Sequence, residues 1–449
     1  MKRFLIVLLA GFILLPLATS SFAGGPPPKD ILKGVFIEAN PASNTAVFKK
    51  DGSGETLTLI IPENISFEKV KLQRKMLVGL DKHAPAPNTV KDISIMFMTM
   101  TTTKVVALIV IGLIGGLLSG FIGSGGAFVL TPAMMSLGAP GAVAVASNMC
   151  HKFPKAMVGT YKRFKYGQVD LKLAFTMAVT AVIGVQIGIK IQKYILNHWG
   201  NAGSNLYVSV VFVFVLVFVG GYVLMDAIKL SRGSDEDKAA GAGPAPFALK
   251  MQKINLPPMM HFKVAKVKIS AWITVPVGLA TGMLAATIAV GGFVGVPGMI
   301  YVIGASAVVA SATELGIAFM MGAWGSIQWG ISGLIDIRMT LLILSASLIG
   351  VQLGALGTTY VKDHMIKLVM SAVMLIVAVS RGAKIPGYLA ALDLRAPLTA
   401  GNAALLESVS FWALIAALAT AGIIISVAMF IGISKDRAEK KAELAISRG

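Results

Sequence analysis

One apolar stretch of the chain carries polar side chains that could bind an anion. The segment from 142 to 161 contains Asn148, Lys152 and Lys155 at spacings of four and three residues. In a helix this spacing places all three on one face. If that helix spans a membrane, a lysine near mid-bilayer is disfavoured by about 2.5 to 3.5 kcal/mol. The ammonium groups must then face a cavity, a partner or an anion, or reach the cytoplasmic surface along a tilted helix.

A single carboxylate accompanies these lysines in the apolar part of the chain. Glu314 is the only acid between Val267 and Ile335, and it follows Asn148 at an interval of 166 residues. A buried carboxylate without a partner takes up a proton rather than stay charged. Two interpretations stay open: Glu314 couples transport to protons, or it pairs with Lys152 as a structural bridge.

Metal and covalent chemistry have little support in the sequence. The single cysteine, Cys150, excludes an internal disulfide and a cysteine-based zinc cluster. The five histidines show no H-x-x-x-H spacing, so we expect no metal site and no cofactor. An integral membrane enzyme would have only Cys150 and His151 available for its catalysis.

These residues belong to a sequence that occurs twice in the chain. Gly184-Val185-Gln186-Ile187-Gly188 returns as Gly350-Val351-Gln352-Leu353-Gly354, again after 166 residues. Chance similarity among apolar segments would not keep one interval over so many positions. The chain is therefore a duplicated membrane unit, which is the usual construction of secondary transporters. The same interval relates Gly112-Leu113 to Gly278-Leu279, Gly125-Gly126 to Gly291-Gly292, and Gly167 and Asp170 to Gly333 and Asp336.

Composition places the chain in a lipid bilayer. Hydrophobic residues make up 55% of it and charged residues 14%, whereas about a quarter of a soluble domain is charged. The net charge of +19 does not indicate nucleic acid, because Lys and Arg lie in short loops that orient the spans. A bilayer core of about 30 Å needs about 20 helical residues. The candidate segments are 105 to 122, 126 to 137, 142 to 161, 172 to 195 and 206 to 229, then 271 to 288, 292 to 303, 308 to 328, 339 to 358 and 365 to 382, with an unpaired helix at about 410 to 432.

Two glycine-rich sequences interrupt the apolar segments at corresponding places. Gly123-Ser124-Gly125-Gly126 precedes one segment that is too short to span, and Gly291-Gly292 precedes the other. A half-helix that begins after such a break presents unpaired N–H groups and the positive end of its dipole, which suits an anion. The alternative is that the glycines only permit close helix packing. Because the breaks are paired within a repeat, we favour binding.

Basic loops set the predicted topology. Lys and Arg cluster after the segment ending at 161, between 229 and 268, and in the tail after 433. All three regions lie inside only if the first copy begins outside and the second begins inside. We therefore expect an all-α integral membrane protein of two inverted-topology repeats with broken or re-entrant helices, plus a small N-terminal extracytoplasmic β-domain.

The chain divides into six regions by composition. Residues 1–23 resemble a cleaved signal peptide. Alternating apolar and polar positions and a turn-forming Asp51-Gly52-Ser53-Gly54 predict a barrel-like β-domain outside the cytoplasm over 24–104, with no catalytic constellation. The first membrane repeat occupies 105–230, a flexible cytoplasmic linker 231–268 and the second repeat 269–385. Residues 386–449 form a loop, an extra transmembrane helix and a cytoplasmic tail.

An ordered set of motifs resembles the TauE/SafE sulfite exporter family, also called toluenesulfonate uptake permeases. The motifs are Gly115 to Gly126, then Pro132, Leu137-Gly138 and Ala144 to Ser147, then Gly167 to Asp170, repeated in the second copy. The resemblance covers about residues 105 to 385 and implies transport of a small sulfur-containing anion, without a covalent cofactor. Ser147-Asn148 and Thr313-Glu314 stand where the family commonly has a Thr-Ser pair.

We therefore expect a secondary transporter that works by alternating access in the plasma membrane of a bacterium or archaeon and has no enzymatic activity. Its partners would be the bilayer, a sulfite, sulfonate or related oxyanion, and a proton if Glu314 couples. The two alternatives are an integral membrane enzyme acting on sulfur compounds and a membrane sensor or scaffold that uses the β-domain. The sequence does not set the oligomeric state. The predicted substrate-binding residues are Gly123, Ser124, Gly125, Gly126, Ser147, Asn148, Lys152, Gly291, Gly292 and Thr313.

Overall fold

The computed structural model describes most of the chain. The described residues are 30–50, 53–63, 65, 67, 70, 72, 75–80, 86, 88–122, 126–232, 246–357 and 363–446. The predicted signal peptide over 1–23 lies outside them. So do Gly123, Ser124 and Gly125, three of the residues predicted to bind substrate.

The N-terminal region forms a five-stranded sheet, which confirms the predicted β region. Neighbouring strands pair antiparallel in the order β3-β2-β1-β4-β5. A parallel bridge between Ile60 and Thr89 joins the two edges, so the sheet curls towards a barrel. Phe36 and Phe48, directly opposite each other, fill its interior with ring centroids 5.0 Å apart. The strands are β1 (Asp30–Asn40), β2 (Thr45–Lys50), β3 (Thr56–Ile60), β4 (Lys75–Leu80) and β5 (Val90–Ile95).

The first half of the membrane region follows the predicted order of segments. Its helices are α1 (Thr102–Ile122), the short α2 (Ala127–Ser136), α3 (Gly141–Lys165) and α4 (Leu171–Arg232). Gly200 interrupts α4 with a non-helical backbone (φ 63°, ψ −159°). Gln192 donates a hydrogen bond to the Ser204 hydroxyl at 3.3 Å, although a straight helix would hold residues that far apart in sequence at about 18 Å. The chain therefore reverses at Gly200, and α4 is a hairpin of two helices, as predicted.

The second half begins with ordered structure where a flexible linker was expected. A short helix, α5 (Pro246–Gln252), and a hairpin of β6 (Met259–Phe262) and β7 (Val267–Ser270) occupy the end of that segment. The expectation of flexibility is therefore wrong for residues 246–268, because Phe262, Val267 and Ile269 bury their side chains in the membrane core. Within the linker, residues 233–245 lie outside the described residues.

The remaining helices repeat the pattern of the first half. They are α6 (Ala271–Ile288), α7 (Gly292–Gly298) with a π-helical turn (Met299–Ile303), α8 (Ala307–Ile331), α9 (Ile337–Gly357), α10 (Asp363–Ala391) and the long α11 (Ala400–Ile446). Among the described residues, seven helices are long and apolar enough to cross a membrane, and the α4 hairpin is one of the seven. The apolar segments Ala127–Ser136 and Gly292–Ile303 are shorter, as predicted. The protein is a multi-pass membrane protein, and the orientation of its β-domain stays a prediction.

Helices of the two halves pack on each other through glycines. A Cβ atom on Gly112 of α1 would lie 2.9 Å from the carbonyl oxygen of Ile343 in α9. The counterpart of that contact, 166 residues away, is equally close: a Cβ on Gly278 of α6 would lie 2.7 Å from the carbonyl oxygen of Met177 in α4. Helix α1 therefore packs on α9 as α6 packs on α4, with backbones in contact.

Candidate functional site

The two short helices begin close to each other inside the protein. Phe128 in the first turn of α2 and Phe293 in the first turn of α7 are buried and meet edge to face, with ring centroids 4.7 Å apart. Neither helix has a side-chain cap at its start, where Gly126 and Gly291 stand. The structure thus brings together the two helix starts that the sequence analysis singled out.

The glycines at these starts are needed for close packing. A Cβ on Gly126 would overlap the carbonyl oxygen of Gly115 in the preceding helix. A Cβ on Gly291 would lie 2.6 Å from the carbonyl oxygen of Thr281 in the same relative position. Gly292 begins α7 and is buried. The packing role that was considered as an alternative is therefore present, and anion binding at these starts stays a prediction.

Asn148 ties α3 to the start of α2. Its amide nitrogen donates to the Ala127 carbonyl oxygen at 3.2 Å and to the Thr131 hydroxyl at 2.8 Å. Its amide oxygen lies 3.3 Å from Nδ1 of His151, and Nε2 of that histidine lies 2.7 Å from the Ser347 hydroxyl on α9. Asn148 and His151 are both buried. The polar face of α3 is thus an internal hydrogen-bonded network that joins α2, α3 and α9.

Lys152 and Glu314 form an ion pair inside the protein. The Lys152 ammonium donates to Oε1 of Glu314 on α8 at 3.3 Å, and the lysine is 6% and the glutamate 0% exposed. This is the contact expected if Glu314 bridges to Lys152. The other carboxylate oxygen, Oε2, is buried and has no hydrogen-bond partner among the described residues. Oε2 is therefore an acceptor that could take a further hydrogen-bond donor.

Lys155 adds a second buried cation to this face of α3. It is 7% exposed and, within the described part of the chain, forms no ion pair. With Lys152 paired to Glu314, Lys155 is left without a carboxylate partner within 4 Å among the described residues. That the two lysines reach the cytoplasmic surface along a tilted helix stays a prediction. We call Asn148, His151, Lys152, Lys155 and Glu314 the central cluster.

Ser147 and Thr313 hold helix starts and lie apart from each other. The backbone N–H of Asp336, just before α9, donates to the Ser147 hydroxyl at 3.0 Å. The backbone N–H of Asp170, just before α4, donates to the Thr313 hydroxyl at 3.1 Å. That these hydroxyls also bind substrate stays a prediction.

The cause of this separation is the antiparallel packing of α3 and α8. Met149 lies against Gly325 near one end of the pair, and Leu315 lies against Gly159 near the other. Residues in equivalent positions of the two halves therefore lie towards opposite ends. In the sequence, Ser147 precedes Asp170 by the same number of residues as Thr313 precedes Asp336, and this regularity could have drawn attention to the two hydroxyls. Each aspartate lies just before a helix, and its backbone N–H donates to one of these hydroxyls.

Sulfur and metal chemistry add little to the site. Cys150 is a free, half-buried thiol next to His151. Among the residues that the structure describes, no cluster of three or more His, Cys, Asp or Glu side chains could hold a metal ion. The central cluster thus offers charge and hydrogen bonds as its chemistry.

The family model described as sulfite exporter TauE/SafE matches residues 108–381 of this chain. The match runs from α1 into α10, and it includes the whole central cluster. It leaves out the N-terminal sheet and α11. No curated protein and no solved structure matches the chain.

Proposed function

Because the chain belongs to the TauE/SafE sulfite exporter family, we propose that it is a secondary transporter that carries sulfite, a sulfonate or a related oxyanion across the plasma membrane. The observation that carries the proposal is the central cluster, in which two buried lysines face one buried glutamate. An excess cation at this depth is costly. A bound anion of one negative charge would balance it.

The helix starts around the cluster favour the same ligand. Asn148 holds the start of α2, and a Cβ on Gly295 in α7 would lie 3.5 Å from Cγ of Glu314. Both short helices therefore begin next to the cluster, with the positive ends of their dipoles nearby. We place the transported anion between Gly126, Gly291 and Gly292 on one side and Asn148 and Lys152 on the other. Gly123, Ser124 and Gly125 extend this site in the proposal.

Alternating access follows from how the halves are built. The helix pairs α1–α9 and α4–α6 have matching contacts 166 residues apart, which supports two copies related by a pseudo-twofold axis. With basic loops inside, that axis lies in the membrane plane and the copies are inverted. Rocking one copy against the other would expose the central cluster to each side in turn.

Glu314 gives the proposal a means of proton coupling. Its carboxylate accepts from the Lys152 ammonium, so an anion that binds Lys152 directly would have to displace that carboxylate. Protonation of Glu314 would release Lys152 to the anion. Anion binding should therefore strengthen as the pH falls, and one proton should accompany each anion.

Flux into proteoliposomes tests the proposed function. Sulfite, sulfate, sulfonates and thiosulfate are compared, with and without a pH gradient. We expect one sulfur anion to be moved and a Lys152→Ala, Gly126→Val double variant to lose at least nine-tenths of its flux. Lys162→Ala, at the exposed end of the same helix, is the matched control and should transport normally. Wild-type flux in the double variant would refute the site, and no flux of any anion would refute the function.

Coupling is tested separately with Glu314→Gln. The amide keeps the size of the side chain and can accept from Lys152, but it cannot take up a proton. We expect uptake by this variant to lose its stimulation by the pH gradient. Gradient-driven uptake that persists in Glu314→Gln would rule out coupling through Glu314 and leave it a structural bridge.

A further inference from the structure

A second buried cation lies outside the central cluster. Arg381 on α10 is 0% exposed, although arginine is almost never fully buried without a partner. Its Nη2 donates to the Ser136 hydroxyl at the end of α2, at 2.6 Å, and to the Ser410 hydroxyl on α11, at 3.4 Å. Its Nε and Nη1 are buried and have no hydrogen-bond partner among the described residues.

The serines satisfy part of this side chain but do not balance its charge. A guanidinium group stays protonated in proteins and presents five N–H donors in a fixed, planar arrangement. Ser380 donates to the Ser410 carbonyl oxygen at 2.7 Å and so helps to hold Ser410 in place. The hydroxyl groups of these serines are neutral. An ion pair on the same two helices, Lys384 with Glu407 at 3.0 Å, lies about one turn away. The Arg381 guanidinium therefore has no counter-charge within ion-pair distance among the described residues.

We propose that Arg381, with Ser136 and Ser410, binds a small oxyanion. The N–H groups on Nε and Nη1 have no acceptor among the described residues, and an oxyanion offers several acceptor oxygens and the missing negative charge. A sulfate, sulfite or phosphate group has this chemistry. The group belongs either to a free anion or to a phospholipid headgroup at the membrane surface.

This site is separate from the central cluster and exists in one half only. The counterpart of Arg381 in the first half, 166 residues earlier, is Val215, and Ser410 comes from α11, outside the family match. Helix α2 links the two sites, since it begins beside the central cluster and ends at Ser136, about 15 Å away. The proposal rests on the geometry around Arg381 and does not require transport through the central cluster.

Equilibrium binding of radiolabelled sulfate to the full-length protein in maltoside detergent tests the proposal. We expect wild-type protein to bind one equivalent of sulfate that Arg381→Gln loses. Lys384→Gln, which removes a cation from the same helix, should keep it. Ser410→Ala leaves the charge in place and should weaken sulfate binding about fivefold, the effect of one hydrogen bond. This second variant keeps the test valid if Arg381→Gln does not fold.

Native mass spectrometry of the same proteins distinguishes the source of the oxyanion. If a phospholipid fills the site, wild-type protein should retain one lipid that Arg381→Gln lacks, and sulfate should bind only after delipidation. If a free anion fills it, the retained lipids should be equal and the sulfate equivalent should differ. Equal sulfate binding and equal lipid retention in wild type, Arg381→Gln and Ser410→Ala would overturn the proposal.

Discussion

At the scale of single residues, the positions where the two halves differ define the centre of the protein. Asn148 and Glu314 occupy equivalent places, yet one is a neutral amide and the other a carboxylate. The amide nitrogen of Asn148 donates hydrogen bonds to the Ala127 carbonyl oxygen and the Thr131 hydroxyl of α2. Glu314 needs a counter-charge instead, and Lys152 supplies it from α3. The same position of the repeat therefore forms neutral hydrogen bonds in the first half and an ion pair in the second.

Breaking this ion pair from one side should destabilise the protein more than removing both partners. Lys152→Met removes the ion-pair partner of the buried Glu314 carboxylate, and breaking a buried pair from one side typically costs about 3 to 5 kcal/mol. The loss should shrink as the pH falls, because the carboxylate can then take up a proton. Lys152→Met combined with Glu314→Gln should recover most of the stability. Thermal unfolding in detergent between pH 5 and pH 8 measures all three effects.

The matched control is the more exposed pair of Lys384 and Glu407, where Lys384→Met should cost about 0 to 1 kcal/mol. Equal destabilisation of Lys152→Met and of the double variant at every pH would show that Lys152 does not stabilise the protein by balancing the charge of Glu314.

At the scale of secondary structure, helices of different halves approach each other until their backbones touch. A Cβ on Gly116 would lie 2.7 Å from Cα of Ser347, and one on Gly282 would lie 2.6 Å from the carbonyl carbon of Ala181. These distances are shorter than van der Waals contact allows. Small residues at helix interfaces serve this purpose in membranes, where apolar side chains gain little from leaving lipid.

Gly116→Ala and Gly282→Ala should each destabilise the protein by about 1 to 3 kcal/mol, because the added methyl group meets backbone that cannot turn aside. Gly221→Ala is the control, since a Cβ there meets nothing within 4 Å and alanine favours helix. Melting midpoints in detergent should fall for the first two variants and not for the third. Equal midpoints for all three would contradict the packing described here.

The element pattern was largely predictable, whereas the partners of individual side chains were not. The lengths of the apolar segments and the 166-residue interval predicted the two short segments, which end at Ser136 and Ile303, and the two helices of α4. Both properties can be read directly from the sequence. The hairpin over 259–270 was missed, since its basic composition resembles that of a linker. The separation of Ser147 from Thr313 was also missed, because it depends on α3 and α8 packing antiparallel, which no local pattern reveals.

At the scale of the whole molecule, the described residues form two hydrophobic cores. Leu32, Phe36, Phe48, Leu59 and Val78 belong to a core of the N-terminal sheet that is separate from the core of the membrane helices. The connecting strand ends at Ile95, and Met96 and Met98 already pack in the membrane core. The N-terminal sheet therefore has a hydrophobic core of its own, and its strand β1 also contacts α4.

Deleting residues 30–95 while keeping residues 1–29 should leave the membrane region folded and able to carry the proposed anion. Met98 must stay, because its carbonyl oxygen accepts from Arg338 at 3.4 Å. We expect sulfite flux in proteoliposomes within about twofold of wild type, since the cores are separate. A variant that also lacks residues 96–101 is the control and should be less stable. Complete loss of flux after the first deletion would show that the sheet takes part in transport.

Because helices of one half pack on helices of the other, these contacts can form only after the second half has been synthesised. Helix α1 finds its partner only when α9 emerges, about 230 residues later in the chain. At about 5 to 20 residues per second, the ribosome needs roughly 10 to 50 s to make that length. During this interval α1 lies in the bilayer with Gly112 and Gly116 uncovered. If the gene were split between α5 and α6, the first product would contain α1 without α9 and the second would contain α6 without α4. Both products would therefore have to be present in the membrane at the same time.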